Sequence, residues 1–151
     1  KHSDIPKIKS QIFPLLSNNL SDKRSLVNFD EQGQNFFICL KNNSIVHYFL
    51  TYEDASLSPL INTPFNKSLI KKGDAYLGST FTIPRERGNW IVPSSISYII
   101  DYYKNLNSVK KLFVLVNKET PGAIEFYERL GFNRVNNAAP KNFFYFFRSG
   151  K

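Results

Sequence analysis

Residues 115–132 read LVNKETPGAIEFYERLGF, and this stretch decides the fold class. It begins inside a short apolar run, Leu112 to Val116, of the kind that forms a strand buried on both faces. Thr120-Pro121 then predicts a helix start, because a hydroxyl can cap the first turn and proline is tolerated there. Gly131 is placed to end that helix. A buried strand followed directly by a helix is typical of mixed α/β domains.

A second informative stretch, residues 83–100, reads IPRERGNWIVPSSISYII. It follows a strand predicted over Ala75 to Ile83, and its second half predicts a helix with Pro93 in the first turn. Backbone N–H groups of a glycine-containing turn, together with a helix N-terminus, can bind an anion. Arg85 and Arg87 would add positive charge there. The simpler alternative is a solvated basic turn between two core elements.

The remaining elements complete the α/β pattern. Apolar residues at helical spacing over residues 5–16 predict one or two short helices, since Pro14 interrupts a longer one. Phe36 to Leu40 and Ile45 to Tyr52 flank a short Asn-containing turn and predict a β-hairpin. Phe143 to Arg148 predicts a final strand, while residues 53–73 predict a loop with one short helix at most.

No repeat or linker divides the chain. We therefore expect one domain over residues 1–151, with an N-terminal helical part over 1–34 and a core over 35–151. The chain contains no methionine and begins at Lys1, so its numbering is expected to begin inside a longer protein.

The composition of the chain indicates which binding partners and which cellular compartment to expect. Twenty Lys and Arg against twelve Asp and Glu give a net charge of +8, which favours an anionic partner. No apolar run approaches the ~20 residues of a membrane span, so no membrane association is expected. The single cysteine, Cys39, cannot form an internal disulfide, which favours the cytoplasm, and we expect it to be a buried structural side chain.

Several catalytic classes find no support in the residues. His2 and His47 are far apart in sequence, and no His-x-x-x-His or Cys-x-x-Cys spacing occurs, so no metal is expected. The serine-hydrolase elbow, the Walker loop and the dinucleotide-binding glycine pattern are also missing.

Two motifs carry a family resemblance. The tail AIEFYERLGF, residues 123–132, resembles the penultimate helix and following turn of the GCN5-related N-acetyltransferases, the GNAT superfamily. PRERGNWIV, residues 84–92, occupies the position of that family's acetyl-CoA pyrophosphate loop, and a helix and a strand separate the two motifs as in the family. The loop departs from the family pattern Arg/Gln-x-x-Gly-x-Gly/Ala, because those positions are Arg87, Trp90 and Val92 here.

The resemblance implies a mixed α/β fold with a central, mostly antiparallel, twisted sheet flanked by helices. It also implies a splayed strand pair that receives acyl-CoA, and a tyrosine, Tyr127, that protonates the departing CoA thiolate. The alternative for Tyr127 is a core aromatic on the same helical face as Ala123, Ile124 and Leu130. The residues implied to bind the cofactor are strand and loop positions, with Thr120 in place of the family's helix-start Asn: Phe81, Thr82, Ile83, Arg87, Gly88, Asn89, Trp90, Ile91, Val92 and Thr120.

The function implied is an acyl-CoA-dependent N-acetyltransferase that moves the acetyl group of acetyl-CoA to a small-molecule amine or amino-sugar by direct attack. One alternative is a GNAT-like binding or regulatory module without activity, motivated by the missing loop glycines. Nucleic-acid binding is not expected, because the basic residues are spread along the chain. The sequence leaves open whether the protein forms a homodimer.

The general base is not assigned from the sequence. Four residues are candidates, but a surface or structural role explains each of them better: His47, Glu53, Asp54 and Asp74.

Overall fold

A six-stranded sheet organises the part of the chain that the computed structural model describes, residues 5–16, 34–55, 58, 71–106, 109–117, 119–135 and 143–149. The helices are α1 (Ile5–Ile12), α2 (Ile91–Leu106) and α3 (Ala123–Arg129). The strands are β1 (Gln34–Lys41), β2 (Ser44–Tyr52), β3 (Asp74–Thr82), β4 (Lys111–Asn117), β5 (Asn133–Val135) and β6 (Phe143–Ser149). Short 3-10 turns cover Phe13–Leu16 and Pro84–Glu86.

The strand order is β1-β2-β3-β4-β6-β5. Only the β3–β4 pair is parallel among the described strands, and the others are antiparallel. The predicted fold class, a mostly antiparallel sheet flanked by helices, is therefore confirmed.

The β1–β2 hairpin closes through two asparagines. Asn42 and Asn43 have φ angles of 50° and 63°, in the left-handed region that asparagine tolerates better than most residues. Two left-handed residues in a two-residue loop match the right-handed twist of the strands on either side. The predicted hairpin is confirmed.

The helices cover both faces of the sheet. On one face α1 packs Ile8 and Ile12 against Ile45 and Tyr48 of β2. On the other face α2 contributes apolar residues one turn apart, and α3 packs beside it over β4. The buried members of this larger cluster are Phe49, Ala75, Leu77, Ile96, Ile99, Ile100, Tyr103, Leu112, Val114, Val116 and Phe132.

The two central strands separate after a short paired region. β3 pairs with β4 only from Asp74 to Leu77, opposite Lys111 to Val114. β3 nevertheless continues to Thr82 and β4 to Asn117, each held by its outer neighbour. The predicted splayed pair is thus present at the C-terminal ends of the two strands.

The prediction that Thr120 caps α3 is wrong. The helix begins at Ala123, its N-cap is Gly122 with φ 70°, and no side-chain cap is formed. The Thr120 carbonyl, rather than its hydroxyl, accepts a hydrogen bond from the Ala123 N–H at 3.2 Å. A left-handed glycine between proline and helix moved the start by two residues, whereas the predicted stop at Gly131 is confirmed by its φ of 82°.

Three further outcomes concern shorter features. The sequence did not predict β5, because three residues are too few to show an alternating pattern. Cys39 is only partly buried, contrary to expectation. Residues 17–33 of the N-terminal part, and most of the loop predicted over 53–73, lie outside the described residues.

His47 is buried on the α2 side of the sheet, where it is 1% exposed. Its Nδ1 lies 2.8 Å from the Thr82 hydroxyl oxygen, and its Nε2 has no hydrogen-bond partner among the described residues. Desolvation by burial lowers the pKa of His47 to about 4, although a backbone hydrogen bond at Phe81 opposes the shift. His47 is therefore a neutral core residue at pH 7.

We expect the fold to lose stability as the pH falls through the unfolded-state pKa of His47, 6.5. Below that pH the unfolded chain binds a proton that the folded chain resists until about pH 4, so acidification favours unfolding. The loss in unfolding free energy between about pH 7.5 and 5 should be on the order of 2 kcal/mol. Urea unfolding across this range measures it, and His47→Gln should flatten the slope. If the unfolding free energy fell equally with pH in the wild type and in His47→Gln, His47 would not be the buried neutral group that we describe.

Candidate functional site

The turn between β3 and α2 presents a row of free backbone donors. Residues 84–86 form one 3-10 turn, and Gly88 and Trp90 then adopt φ angles of 84° and 57°. Left-handed residues alternating with ordinary ones bring successive N–H groups to one side of the chain. In the described structure the backbone N–H groups of Gly88, Trp90, Ile91 and Val92 donate to no backbone acceptor.

Helix α2 adds its N-terminus to this row. Its first intrahelical bond runs from the Ser94 N–H to the Trp90 carbonyl at 3.1 Å. The N–H groups of Ile91 and Val92 therefore stay free, and Pro93 has none to satisfy. The partial positive charge of the helix end strengthens a site for an anion. We call residues 88–92 the amide cradle.

Glu86 anchors the cradle to the hairpin. Its side chain is buried, and both carboxylate oxygens accept hydrogen bonds from Lys41 Nζ at 3.0 Å. Asn89 Nδ2 donates to Glu86 Oε2 at 3.2 Å, within the cradle itself. The hydrogen bond from Lys41 is the main cause that lowers the pKa of Glu86. An ionised Glu86 thus connects the end of β1 to the turn that positions the free amides.

A cleft of about 210 Å³ lies along the cradle. Its walls come from the end of β3, the turn and the first residues of α2: Thr82, Glu86, Arg87, Gly88, Trp90, Ile91, Val92 and Pro93. Arg87 Nε donates to the Thr82 carbonyl at 3.2 Å, and its terminal nitrogens have no partner in the described part of the chain. The guanidinium is therefore held at the cleft with donors to spare.

The open edge of β3 adjoins the cleft. The Ile83 N–H donates to the Val46 carbonyl of β2 at 3.0 Å. Because neighbouring residues of a strand direct their N–H groups to opposite sides, the Thr82 N–H points toward the side that β4 has left. Phe81 instead stacks on Tyr48 at 6.3 Å between ring centres. Of the three strand residues expected at the cofactor, only Thr82 lines the cleft.

Tyr127 lies on the inward side of α3. Its ring makes edge contacts with Phe126 and Phe132 at 5.2 and 5.4 Å, and it packs against the larger core cluster. Desolvation by burial raises the pKa of Tyr127 to about 12. The phenol therefore keeps its proton at neutral pH and can only donate it. Thr120 is exposed in the turn before α3 and is not part of the cleft wall.

A groove of about 530 Å³ between the start of α2 and helix α3 was not anticipated from the sequence. Trp90 and Pro93 form one wall, and α3 forms the other with Phe126, Arg129 and Leu130. These α3 residues share a face at spacings of three and four. That spacing is visible in the sequence and is the signal that could have indicated the groove.

None of the four candidate bases lines the cleft or the groove. His47 is a buried neutral side chain, as described above. Asp74 is buried, and its Oδ2 accepts a hydrogen bond from the Lys71 N–H at 2.8 Å. Glu53 is exposed and accepts from Asn35 Nδ2 at 2.7 Å, while Asp54 is half-buried beside it. Structural roles thus account for His47, Asp74 and Glu53.

Within the described residues, no group of three His, Cys, Asp or Glu side chains is arranged to hold a metal ion. The described helices are also all too short or too polar to cross a membrane.

Comparison with known proteins identifies related folds. The family model described as "Acetyltransferase (GNAT) family" matches residues 6–132 of the chain. No curated protein sequence matches significantly.

Three solved structures superpose over nearly the whole chain. A GNAT-family acetyltransferase from Staphylococcus aureus Mu50 is 17% identical, with a TM-score of 0.68 over 100% of this chain and 96% of that one. The ribosomal-protein-S18-alanine N-acetyltransferase from Escherichia coli is 18% identical, with a TM-score of 0.65 over 97% and 86%. A ribosomal-protein-alanine N-acetyltransferase from Brucella melitensis is 13% identical, with a TM-score of 0.65 over 99% and 96%. At these low identities, the similarity shows that the three structures have the same fold as this chain.

The left-handed backbone at Gly88 makes the cradle sensitive to substitution. A Cβ at this position would meet nothing within 4 Å, so backbone strain alone should decide the effect. We expect Gly88→Ala to lower the free energy of unfolding by about 1 kcal/mol, and Gly88→Asn to lower it less, because asparagine tolerates positive φ. Urea unfolding at pH 7 compares the two variants. Wild-type stability in Gly88→Ala would show that this φ is not held in solution.

Proposed function

The chain belongs to the GNAT acetyltransferase family, and from this premise we propose that it transfers the acetyl group of acetyl-CoA to a small-molecule amine or amino-sugar. Family membership makes it an acetyltransferase. The acceptor class, the roles of individual residues and the extent of the catalytic domain over residues 1–151 are our proposal.

The amide cradle beside the open edge of β3 is the observation that carries the proposal. Coenzyme A joins a pyrophosphate to an extended pantetheine arm that ends in the thioester. The free N–H groups of residues 88 and 90–92 and the spare donors of Arg87 suit the pyrophosphate. The gap between β3 and β4 opens after Leu77 and reaches this cleft at Thr82, where an extended arm with amide groups can pair with strand backbone.

The missing loop glycines do not prevent this fit. Trp90 occupies the family's glycine position and adopts φ 57°, a conformation that usually needs glycine. Its amide therefore joins the same row as that of Gly88. Val92 lies in the first turn of α2, where an ordinary residue leaves the N–H equally free.

The chemistry that we propose uses two proton or hydrogen-bond donors, the Thr82 N–H and Tyr127. The acceptor nitrogen attacks the thioester carbon, the carbonyl oxygen gains negative charge, and the carbon–sulfur bond then breaks with its electron pair moving to sulfur. The Thr82 N–H, free of β4, would donate to the developing oxyanion. Tyr127 would give its proton to the sulfur and recover one from solvent, and the proton of the attacking amine leaves through water.

We propose a small amine or amino-sugar as the acceptor, the class that the sequence resemblance implies. Two of the similar structures carry names that specify the alanine of a ribosomal protein, but those names describe proteins 13% and 18% identical to this chain. A panel of amines, amino-sugars and alanine-initiated peptides would test the acceptor directly.

Calorimetric titration with acetyl-CoA tests the first step. We expect saturable binding, followed by acetyl transfer to at least one member of the acceptor panel. No binding at millimolar acetyl-CoA would overturn the proposal. Binding without transfer to any acceptor would favour the alternative of a module without activity.

Tyr127→Phe should lower kcat by about 100-fold while leaving the Kd for acetyl-CoA nearly unchanged, because it removes only the proton donor. Steady-state kinetics and calorimetry provide the two values.

Tyr103→Phe is the matched control. Burial raises the pKa of Tyr103 to about 12, as it does for Tyr127, but the Tyr103 hydroxyl lies 2.6 Å from that of Thr51. Losing that bond should lower the free energy of unfolding by about 1 kcal/mol and leave kcat unchanged. Equal kinetic effects of the two substitutions would remove Tyr127 from the reaction.

Arg87→Gln should weaken acetyl-CoA binding severalfold, and more at low than at high salt, because a cation at the cleft is lost. Arg85→Gln removes the same charge from an exposed side chain that does not line the cleft, so a smaller effect is expected. Calorimetry at two ionic strengths compares the variants. Equal losses would indicate a general effect of net charge and not a contact at the cleft.

A further inference from the structure

Trp90 is an exposed aromatic residue in a strained backbone conformation. It is the single tryptophan of the chain, it is 77% exposed, and its φ is 57°. A bulky non-glycine residue rarely adopts such a φ, and strain of this kind is found at functional sites. Because the indole contributes little to the core, packing of the fold does not explain it.

The conformation of Trp90 is held by its neighbour in α2. The Trp90 carbonyl accepts the Ser94 N–H at 3.1 Å and the Ser94 hydroxyl at 2.9 Å. These two bonds fix the carbonyl, and with it the direction in which the chain enters the helix. The indole is therefore exposed on a backbone that is held in place.

The indole stands between the two concave surfaces of this region. Trp90 and Pro93 line both the cleft along the amide cradle and the groove against α3. The opposite wall of the groove is largely apolar, with Phe126 and Leu130, and its two charges, Glu125 and Arg129, are of opposite sign. The groove therefore suits a flat and mostly uncharged group better than a further phosphate.

We propose that the Trp90 indole is the surface on which the adenine of acetyl-CoA stacks, in the groove between α2 and α3. This inference rests on the proposed function. Coenzyme A places the adenosine and the pantetheine on opposite sides of its pyrophosphate. With the pyrophosphate at the cradle and the pantetheine directed to the gap beyond Thr82, the adenosine leaves the cleft past Trp90 and Pro93. The groove is the concave surface that begins there.

The replacement of a glycine by tryptophan thus adds a contact to the loop without removing an amide. Stacking of a base on an aromatic side chain is strong enough to change affinity about tenfold. The contact would make the chain select a complete coenzyme A over a shorter phosphopantetheine donor.

The test compares two donors on two proteins. Acetyl-4′-phosphopantetheine has the thioester and one phosphate of acetyl-CoA but no adenosine. Trp90→Gly removes the indole and suits the backbone, since glycine accepts a φ of 57° without strain. We expect it to raise the Kd for acetyl-CoA about tenfold and to leave the Kd for acetyl-4′-phosphopantetheine unchanged.

Fluorescence gives a second readout that does not depend on turnover. Since Trp90 is the single tryptophan, its emission reports on this position alone. Acetyl-CoA should change that emission on binding, and acetyl-4′-phosphopantetheine at saturation should change it much less. Trp90→Phe keeps an aromatic ring and should retain most of the affinity for acetyl-CoA.

Tyr98→Ala is the control for loss of an exposed aromatic residue. Tyr98 also lies on α2 and is 65% exposed, but it lines neither the cleft nor the groove. The Tyr98→Ala protein should bind both acetyl-CoA and acetyl-4′-phosphopantetheine with the affinity of the wild type.

The outcomes separate this inference from the function on which it rests. If acetyl-CoA binds but Trp90→Gly changes the Kd of both donors equally, or of neither, adenine stacking is overturned and the proposed function stands. If acetyl-CoA does not bind the wild-type protein at all, both are overturned.

Discussion

The early separation of β4 from β3 is the constraint on which the site depends. The two strands pair over four residues and then part, although both continue beyond that point. The separation is tolerated because each strand keeps an antiparallel neighbour to its end, β2 through His47 opposite Thr82, and β6 through Asn117 opposite Phe143. Each strand has one satisfied edge and one free edge, and the two free edges face each other.

The turn that follows β3 converts this gap into an anion site. Because β3 ends at the gap, the chain must reverse there before α2 can pack on the sheet. The reversal passes through left-handed residues at Gly88 and Trp90, which leaves a row of amides without acceptors. Lys41 and Glu86 hold that row in place from the neighbouring hairpin. The geometry of the cradle therefore depends on a buried carboxylate outside it.

Local signals predicted most of the elements. The Asn-containing turn, the first-turn proline of α2 and the glycine at the end of α3 each act through backbone conformation, so they could be interpreted without tertiary context. Thr120 was misinterpreted for the same reason. A hydroxyl before proline is a good cap locally, yet Gly122 took a left-handed conformation that begins the helix later. The partial exposure of Cys39 and the burial of His47 could not be predicted, because both depend on where α2 lies over the sheet.

The sequence alone determined the order of the helices and of every strand except β5, the fold class and, through two short motifs, the family. Those features depend on residue spacing and turn chemistry, which are local properties of the chain. Tertiary structure decided which residues meet at the site. Thr82 faces the open edge while Phe81 packs on the opposite side, because β3 shifts its register against β2. In the sequence, Trp90 is a departure from the family's loop pattern. In the structure it lines a groove that only the packing of α3 beside α2 creates.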